Sequence, residues 1–314
     1  MTARPRVVVV GALPALGIEL MRQRLEVDPG PIRPEWSWLR EHVSGAAAIV
    51  ADPGVPIDAA LLDAAGASLK VVANFAVGYD NIDLEAVRAR GIRATNTPDV
   101  LTNATAELAI TLMLAAARRV TEADALTRSG EWQEEQALLG RELAGATVGL
   151  VGFGRIARRV AELLRGFEVL LLVSARSRIA APSGAEQREL EDLLASADFV
   201  SLHVPLSSET RYLIDASRLA QIKRGAVLVN TSRGGVIDTA ALIDALRSGR
   251  LGAAGLDVYE HEPQVPRELR ELPNTVLLPH IGSATGKTRE AMARLCVENV
   301  LAVIEGREPP TPVV

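Results

Sequence analysis

Three short segments hold the side chains best suited to chemistry. They are Asn230-Thr-Ser-Arg233-Gly-Gly-Val-Ile-Asp238, Gly255-Leu-Asp257-Val-Tyr-Glu-His-Glu262-Pro263 and Pro279-His280-Ile-Gly-Ser-Ala-Thr285. Between them they offer a guanidinium at Arg233, a carboxylate at Glu262 and an imidazole at His280. Hydride transfer to the ketone of a 2-keto acid needs such a set. A cation holds the substrate carboxylate and polarises the ketone, an acid protonates the forming alkoxide, and a carboxylate keeps that acid charged. Taken singly, each residue also has an ordinary reading. An Arg after a strand is often a surface ion pair, a His before a glycine loop is often structural, and a loop Glu is often solvated, as expected here for Glu260. His261 is a rival acid, ranked lower because sequence neighbours do not easily pair face to face with each other. His42 and His203 read as structural or peripheral to the chemistry. The chain has no H-E-x-x-H, no paired Cys motif, no G-x-S-x-G and no Walker sequence, and no metal site is expected.

A second constellation is Thr147-Val-Gly-Leu-Val-Gly152-Phe-Gly154-Arg-Ile-Ala157. A strand-like run feeds a glycine turn that feeds a helix-like run, with the spacing G-x-G-x-x-A. Gly152 allows a tight turn, Gly154 lets the backbone approach a pyrophosphate, and Ala157 is small enough for close helix–strand packing. The first amides of the following helix would face the phosphates. The bland alternative is a ligand-free turn in an α/β domain. The end of the next strand reads Ser174-Ala175-Arg176-Ser177-Arg178, where an NAD site usually places an Asp or Glu for the ribose 2′-hydroxyl. Two guanidiniums and hydroxyls would instead hold a 2′-phosphate. The expected cofactor is therefore NADP(H) in preference to NAD(H), against the alternative of a solvated basic loop.

The elements that must position these residues are legible as alternating apolar runs and helix-length segments. Strands are expected at Arg6–Val10, Ala48–Ala51, Lys70–Asn74, Thr147–Val151, Val169–Val173, Phe199–His203, Ala226–Asn230, Ala253–Val258 and Val276–Leu278. They are continuous apolar runs, as parallel strands buried on both faces are. Each of the three chemical segments then lies just past the carboxyl end of a strand, the edge where open α/β sheets bind ligands. One helix is expected from Asp238 as N-cap, through a stripe of Leu242, Ile243 and Leu246, to a stop at Gly249. A final helix is expected over about Lys287 to Glu305, after the loop from His280 to Gly286. With a second boundary at Asn96-Thr97-Pro98-Asp99, the chain reads as a split domain, 1–97 with 286–314, around an inserted domain, 98–285. The fold class is α/β, with two doubly wound parallel-sheet domains. The tail Pro309-Pro310-Thr311-Pro312 is expected to be extended and mobile.

Composition bounds the function classes. At 314 residues the chain is long enough for two domains, and 48% hydrophobic with 23% charged residues is ordinary for a soluble globular protein. A net charge of -5 offers no footprint for nucleic acid or an anionic membrane. The one cysteine, Cys296, permits neither an intramolecular disulfide nor a cysteine metal cluster. The N-terminus lacks an apolar region of signal-peptide length, and no apolar run approaches a membrane span. A cytoplasmic setting is expected.

Six motifs taken in order carry a family resemblance: Asn74-Phe-Ala-Val-Gly-Tyr-Asp-Asn-Ile-Asp83, Val151-Gly-Phe-Gly-Arg-Ile156, His203-Val-Pro-Leu-Ser-Ser-Glu-Thr210, and the three chemical segments above. With them the chain resembles the D-isomer-specific 2-hydroxyacid dehydrogenases, and among these the glyoxylate/hydroxypyruvate reductases, over roughly Ala48 to Arg307. The resemblance implies two Rossmann-like domains, the cofactor domain inserted in a split substrate domain. It implies Arg233 as substrate binder, His280 as acid/base and Glu262 as its partner, with the Val77-Gly78 amides holding the substrate carboxylate. Asp257 is expected near the nicotinamide carboxamide, with Thr102 and Thr231 lining the cofactor. The remaining cofactor positions implied are Gly152, Phe153, Gly154, Arg155 and Ile156 in the glycine turn and Ala175, Arg176, Ser177 and Arg178 after the next strand. His203, Pro205 and Thr210 belong to the third motif, and Ser232, Arg233, His280 and Gly282 complete the set. A homodimer through the cofactor domain is implied, and the apolar, small-residue helix from Thr102 to Thr121 suits such an interface. Glu131–Gly140 lacks the Trp-x-Pro stretch often found there in these reductases, and Ala157 replaces the commoner third glycine.

The expected function is hydride transfer from NADPH to glyoxylate or hydroxypyruvate, giving a D-2-hydroxy acid. The alternatives are a dehydrogenase for D-lactate or D-phosphoglycerate, and a dinucleotide-sensing interaction protein without catalysis. A regulatory domain after Val314 is not expected, which weakens the longer phosphoglycerate forms.

Overall fold

A computed structural model describes residues 4–132, 138–179 and 184–314. The chain divides into two compact units, Met1–Leu101 with Ser283–Val314, and Thr102–Gly282. The breaks expected at 97/98 and 285/286 thus fall at 101/102 and 282/283. Leu101 is buried and Thr102 opens a helix, so the chain leaves the first unit only when that helix starts.

The first unit begins with β1 (Arg6–Val10), α1 (Ala15–Arg22), β2 (Glu26–Pro29), α2 (Trp36–Val43) and β3 (Ala48–Ala51). It continues through α3 (Ala59–Ala65), β4 (Val71–Asn74), α4 (Leu84–Ala89) and β5 (Arg93–Thr95). The five strands form one parallel sheet in the order β2-β1-β3-β4-β5. Every residue of β3 and β4 is buried, which is why those strands read as unbroken apolar runs.

The second unit starts with α5 (Thr102–Ala117) and α6 (Val120–Arg128). It then follows β6 (Thr147–Val151), α7 (Arg155–Leu164), β7 (Leu170–Ser174), β8 (Ala185–Gln187), α8 (Leu190–Ser196), β9 (Phe199–Leu202) and α9 (Ala216–Gln221). It ends with β10 (Val227–Asn230), α10 (Thr239–Arg247), β11 (Ala253–Leu256), α11 (Arg267–Arg270) and β12 (Thr275–Leu277). Its seven parallel strands lie in the order β12-β11-β10-β9-β6-β7-β8. The long helix α12 (Gly286–Ile304) returns to the first unit and packs on α1 and on β3, β4 and β5. No helix of the described residues is long and apolar enough to cross a membrane.

The expected two parallel-sheet domains are therefore present. The nine expected strands correspond to observed ones, and β2, β5 and β8 were missed. All three lie at sheet edges and are short, and β2 and β8 have no fully buried residue, so they lack the apolar run that marks the others. The helix expected after Asp238 is α10. The Asp238 carboxylate accepts from the Ala240 and Ala241 N–H groups, and Gly249 follows at φ +66°. The apolar helix expected to run to Thr121 stops at Ala117, where Arg119 turns the chain at φ 51° and α6 begins. Much of the apolar surface of α5 is spent inside its own unit, packed on α7, β10 and β11. Within the segment lacking Trp-x-Pro, residues 133–137 lie outside the described residues.

The tail departs from expectation. Val313 N–H donates to Ala94 O at 2.8 Å, Ala94 N–H donates to Val314 O at 3.1 Å, and Thr95 bridges Pro312 in antiparallel fashion. The last residues are tied along β5 because that edge strand otherwise has unpaired backbone groups.

Helix α5 approaches the sheet closely at Gly255 of β11, where an added Cβ would meet Leu112 Cβ at 2.9 Å. Gly255→Val should force the two apart and cost ~1–3 kcal/mol. Thermal unfolding of this variant should begin several degrees lower, and an unchanged midpoint would contradict the packing described.

Candidate active site

The chemical side chains of the second unit sit on loops at the carboxyl ends of β6, β7, β9, β10, β11 and β12. Three backbone devices shape these loops. After β10, the buried Asn230 side chain accepts from Ser232 N–H at 3.0 Å and Ser232 Oγ at 2.8 Å, and donates to Arg233 O at 2.9 Å. This Asx-type turn presents Arg233 in extended backbone, φ −143°. Next, Gly234 lies against the following loop so tightly that a Cβ there would fall 1.8 Å from the Tyr259 carbonyl carbon. After β11, the buried carboxylate of Asp257 accepts from Ile281 N–H and Gly282 N–H, both at 2.7 Å. Those are the two amides that follow His280. Thr105 Oγ1 adds a bond to Gly282 O at 3.1 Å.

His280 itself adopts φ 57°, a left-handed conformation unusual for a side-chain-bearing residue. Holding it there costs ~1–3 kcal/mol, offset by the Asp257 bonds on its far side. His280 Nδ1 then meets Glu262 Oε2 at 2.7 Å, both half-buried. The other Glu262 oxygen accepts from Tyr259 N–H at 2.9 Å. Tyr259 in turn donates its hydroxyl to Leu278 O at 2.9 Å, joining the β11 loop to the segment that leads into His280.

The electrostatics follow from this geometry. Burial pushes the Glu262 carboxyl upward, but the His280 hydrogen bond and charge, the Tyr259 N–H and the nearby Arg233 outweigh it. Glu262 therefore sits below the usual carboxylate range. Burial raises Asp257, against the two N–H donors that favour its charge. Burial likewise raises the Tyr259 phenol.

Several expected residues are placed differently from their sequence reading. Glu260 was expected to be a solvated charge. Its side chain is only 11% exposed, accepts from Thr239 Oγ1 at 3.0 Å and from the Tyr212 hydroxyl, and lies near Arg211. The loop folds back over it, which residue type could not reveal. His261, the rival acid, is 76% exposed and lies nearer Glu260 than any other carboxylate, 3.9 Å away. His42 stacks on Trp38 with centroids 3.9 Å apart, a structural role as expected. Val77 and Gly78 belong to the first unit, just past β4. Asn230 was the positioning residue sequence reasoning left without a role. Its signal was an Asn closing a strand two residues before a Ser.

The glycine turn fits a dinucleotide. Gly152 has φ +88°, and a Cβ there would meet His203 O at 2.7 Å, so only glycine suits the crossing of the two strand ends. At Gly154, the N-cap of α7, a Cβ would meet nothing within 4 Å. That is open space against bare backbone at a helix start, the cradle a pyrophosphate needs. Ala157 is fully buried. Two polar atoms at the same sheet edge, Thr231 Oγ1 and His203 Nε2, are buried without a hydrogen-bond partner among the described residues. A bound polar group would complete them. Phe153 differs: its ring is in the core beneath the Arg158 guanidinium, 4.7 Å away, so only its backbone is available to a ligand. Thr210 uses its hydroxyl within its own turn, accepting from Ser207 N–H at 2.8 Å and donating to Pro205 O at 2.5 Å. Arg176, Ser177 and Arg178 are exposed, with Arg176 Nη1 2.6 Å from Glu209 Oε2.

Comparison with known proteins agrees with this architecture. A sequence profile of the D-isomer specific 2-hydroxyacid dehydrogenase NAD binding domain matches residues 110–282. A glyoxylate reductase of Thermococcus kodakarensis is 49% identical, covering 98% of this chain and 96% of its own. One from Pyrococcus furiosus is 46% identical over 98% and 95%. Among solved structures, a protein of Thermus thermophilus superposes with a TM-score of 0.93 at 48% identity, over 98% of this chain and 100% of that one. An NADPH-dependent glyoxylate/hydroxypyruvate reductase of Sinorhizobium meliloti, solved with NADP and malonate, gives 0.90 at 35% identity over 99% and 97%. A nicotinamide-dependent dehydrogenase of two parallel-sheet domains is the class that fold and relatives define. Within that class, the chain belongs to the D-isomer specific 2-hydroxyacid dehydrogenase family and groups with its glyoxylate reductases.

Burial lowers His203 from the ordinary 6.5 to about 4. The unfolded chain binds that proton first, so His203 should cost stability as pH falls from about 6.5 to about 4, and nothing above. Thermal midpoints measured across that window should slope less in His203→Gln than in the wild type. Equal slopes would show that the ring is not held neutral.

Proposed function

We propose that this protein reduces glyoxylate or hydroxypyruvate to the D-2-hydroxy acid, with NADPH preferred over NADH. The observation that carries the reading is the 2.7 Å His280–Glu262 pair with Arg233 acting on the same carboxylate. When bound, the nicotinamide supplies the hydride. The Gly152–Gly154 turn, Thr231 and the Ser174–Arg178 segment would hold the dinucleotide. His280 is tethered through Nδ1, so Nε2 is the nitrogen free to give a proton to the forming alkoxide. Glu262 holds the ring in that orientation. Arg233 would bind the substrate through its guanidinium, and the Val77 and Gly78 amides are proposed, on the family resemblance, as donors to a carboxylate.

The cofactor preference rests on the residues at the carboxyl end of β7. No carboxylate ends that strand, and Arg176 and Arg178 stand exposed beside Ser177. A 2′-phosphate would take Arg176 from Glu209, exchanging an exposed pair worth little for a dianion. The reading includes a cytoplasmic setting and a homodimer through the second unit, for which light scattering of the purified protein is the direct measurement.

His280→Ala should lower kcat by roughly 10²–10⁴ while NADPH binding persists. A variant with wild-type turnover would refute the assignment. Glu262→Gln should lower kcat by roughly 10–10²-fold, because the charged hydrogen bond that orients the His280 ring is lost. Arg176→Ala should raise the KM for NADPH and leave that for NADH nearly unchanged. An NADH preference in the wild type, followed by nicotinamide absorbance, would end the cofactor reading. No turnover with any keto acid, in protein that binds a dinucleotide, would end the enzymatic one.

A further inference from the structure

The loop past β4 is gripped from behind at successive peptide groups. Ala76 O accepts from Thr97 N–H at 2.8 Å, and Val77 O accepts from Asn96 Nδ2 at 2.7 Å. Gly78 O accepts from Asn74 Nδ2 at 2.6 Å. Asn74 is fully buried and pairs reciprocally with Asn81, at 3.2 and 3.1 Å, and Asn81 is anchored to Val55 O at 2.9 Å. In a trans peptide the C=O and the following N–H point in opposite directions. Holding Ala76 O and Val77 O toward 96–97 therefore turns the N–H groups of Val77 and Gly78 the other way, side by side. Neither N–H donates to an acceptor among the described residues.

Asn96 is itself braced. Its carbonyl accepts from Thr311 Oγ1 at 2.6 Å and Asn299 Nδ2 at 3.3 Å. Asn299, fully buried on α12, also accepts from Thr311 N–H at 3.0 Å. The C-terminal tail thus supports Asn96, and Asn96 supports the loop.

We propose that Asn96 is a positioning residue that aims the Gly78 N–H beside that of Val77 as a paired anion donor, and so sets affinity for the keto acid's carboxylate. This rests on the proposed reading of the Val77-Gly78 amides. Asn96 does not touch substrate. It fixes the peptide plane before binding, so the substrate does not have to order it. Without the carboxamide the Val77–Gly78 peptide can rotate, and one donor to the carboxylate is lost.

The test uses the full chain with Asn96→Ala and Asn96→Asp, the latter of similar size but unable to donate from its side chain at neutral pH. The KM for glyoxylate should rise ~10–100-fold in both, the range for losing a hydrogen bond to a charged group. The NADPH Kd, read by nicotinamide fluorescence, should hold, and kcat should change less than KM. An unchanged KM in a folded variant would overturn the proposal. So would a parallel loss of glyoxylate and NADPH affinity, which marks a merely structural residue. Should both variants fail to fold, Thr311→Val loosens the same brace and is read by the same split. A wild type inactive with keto acids would instead sink the functional reading itself.

Discussion

A buried carboxylate holds the chemistry of the second unit in place. Asp257 is almost fully enclosed, and a charge in that position is tolerable only when hydrogen bonds satisfy it. Its two oxygens take the Ile281 and Gly282 N–H groups, fixing the backbone immediately past His280. With that side anchored, His280 can occupy its left-handed conformation and direct its ring onto Glu262. The expectation for Asp257 concerned the nicotinamide carboxamide. The role visible in the structure is to hold the loop that carries the imidazole.

The same economy recurs at other strand ends. A parallel strand that stops leaves backbone groups outside the ladder, and each must find a partner or be costly when buried. Side-chain amides supply several: Asn230 builds the turn that carries Arg233, and Asn74 and Asn96 hold the peptides at 77 and 78. Glycine serves where two loops must touch, as at Gly234 against Tyr259 and Gly152 against His203. The loops are irregular, yet those that carry Arg233, Glu262 and His280 are each fixed by a named polar contact. Rigid loops on a rigid sheet are what a preorganised site requires.

Much of this was legible in the sequence for a simple reason. Central parallel strands are buried on both faces and cannot hide their apolar runs, so β1, β3, β4, β6, β7, β9, β10 and β11 were found, and the edge strand β12 was found because it too keeps buried residues. Strands β2, β5 and β8 were not, because an edge strand needs no such run. Asp238 and Gly249 marked the ends of α10 by local chemistry alone. The misjudged Glu260 and the tail share a different cause. Glu260 is covered by Tyr212 and Thr239, distant in the chain, and the tail pairs with β5, more distant still. No local pattern encodes a partner so distant in sequence.

By itself, the sequence determined the two parallel-sheet domains, the glycine turn, the candidate trio of Arg233, Glu262 and His280, and the family. These depend on residue type, spacing and periodicity, which act over a few positions. Only the tertiary structure decided that Glu260 turns away to Tyr212 and Thr239 while Glu262 closes on His280, that Asp257 anchors the His280 loop, and that Asn96 reaches back to Val77. Those outcomes depend on which strand ends become neighbours and how each loop satisfies its buried polar groups. That is a property of the packed chain as a whole.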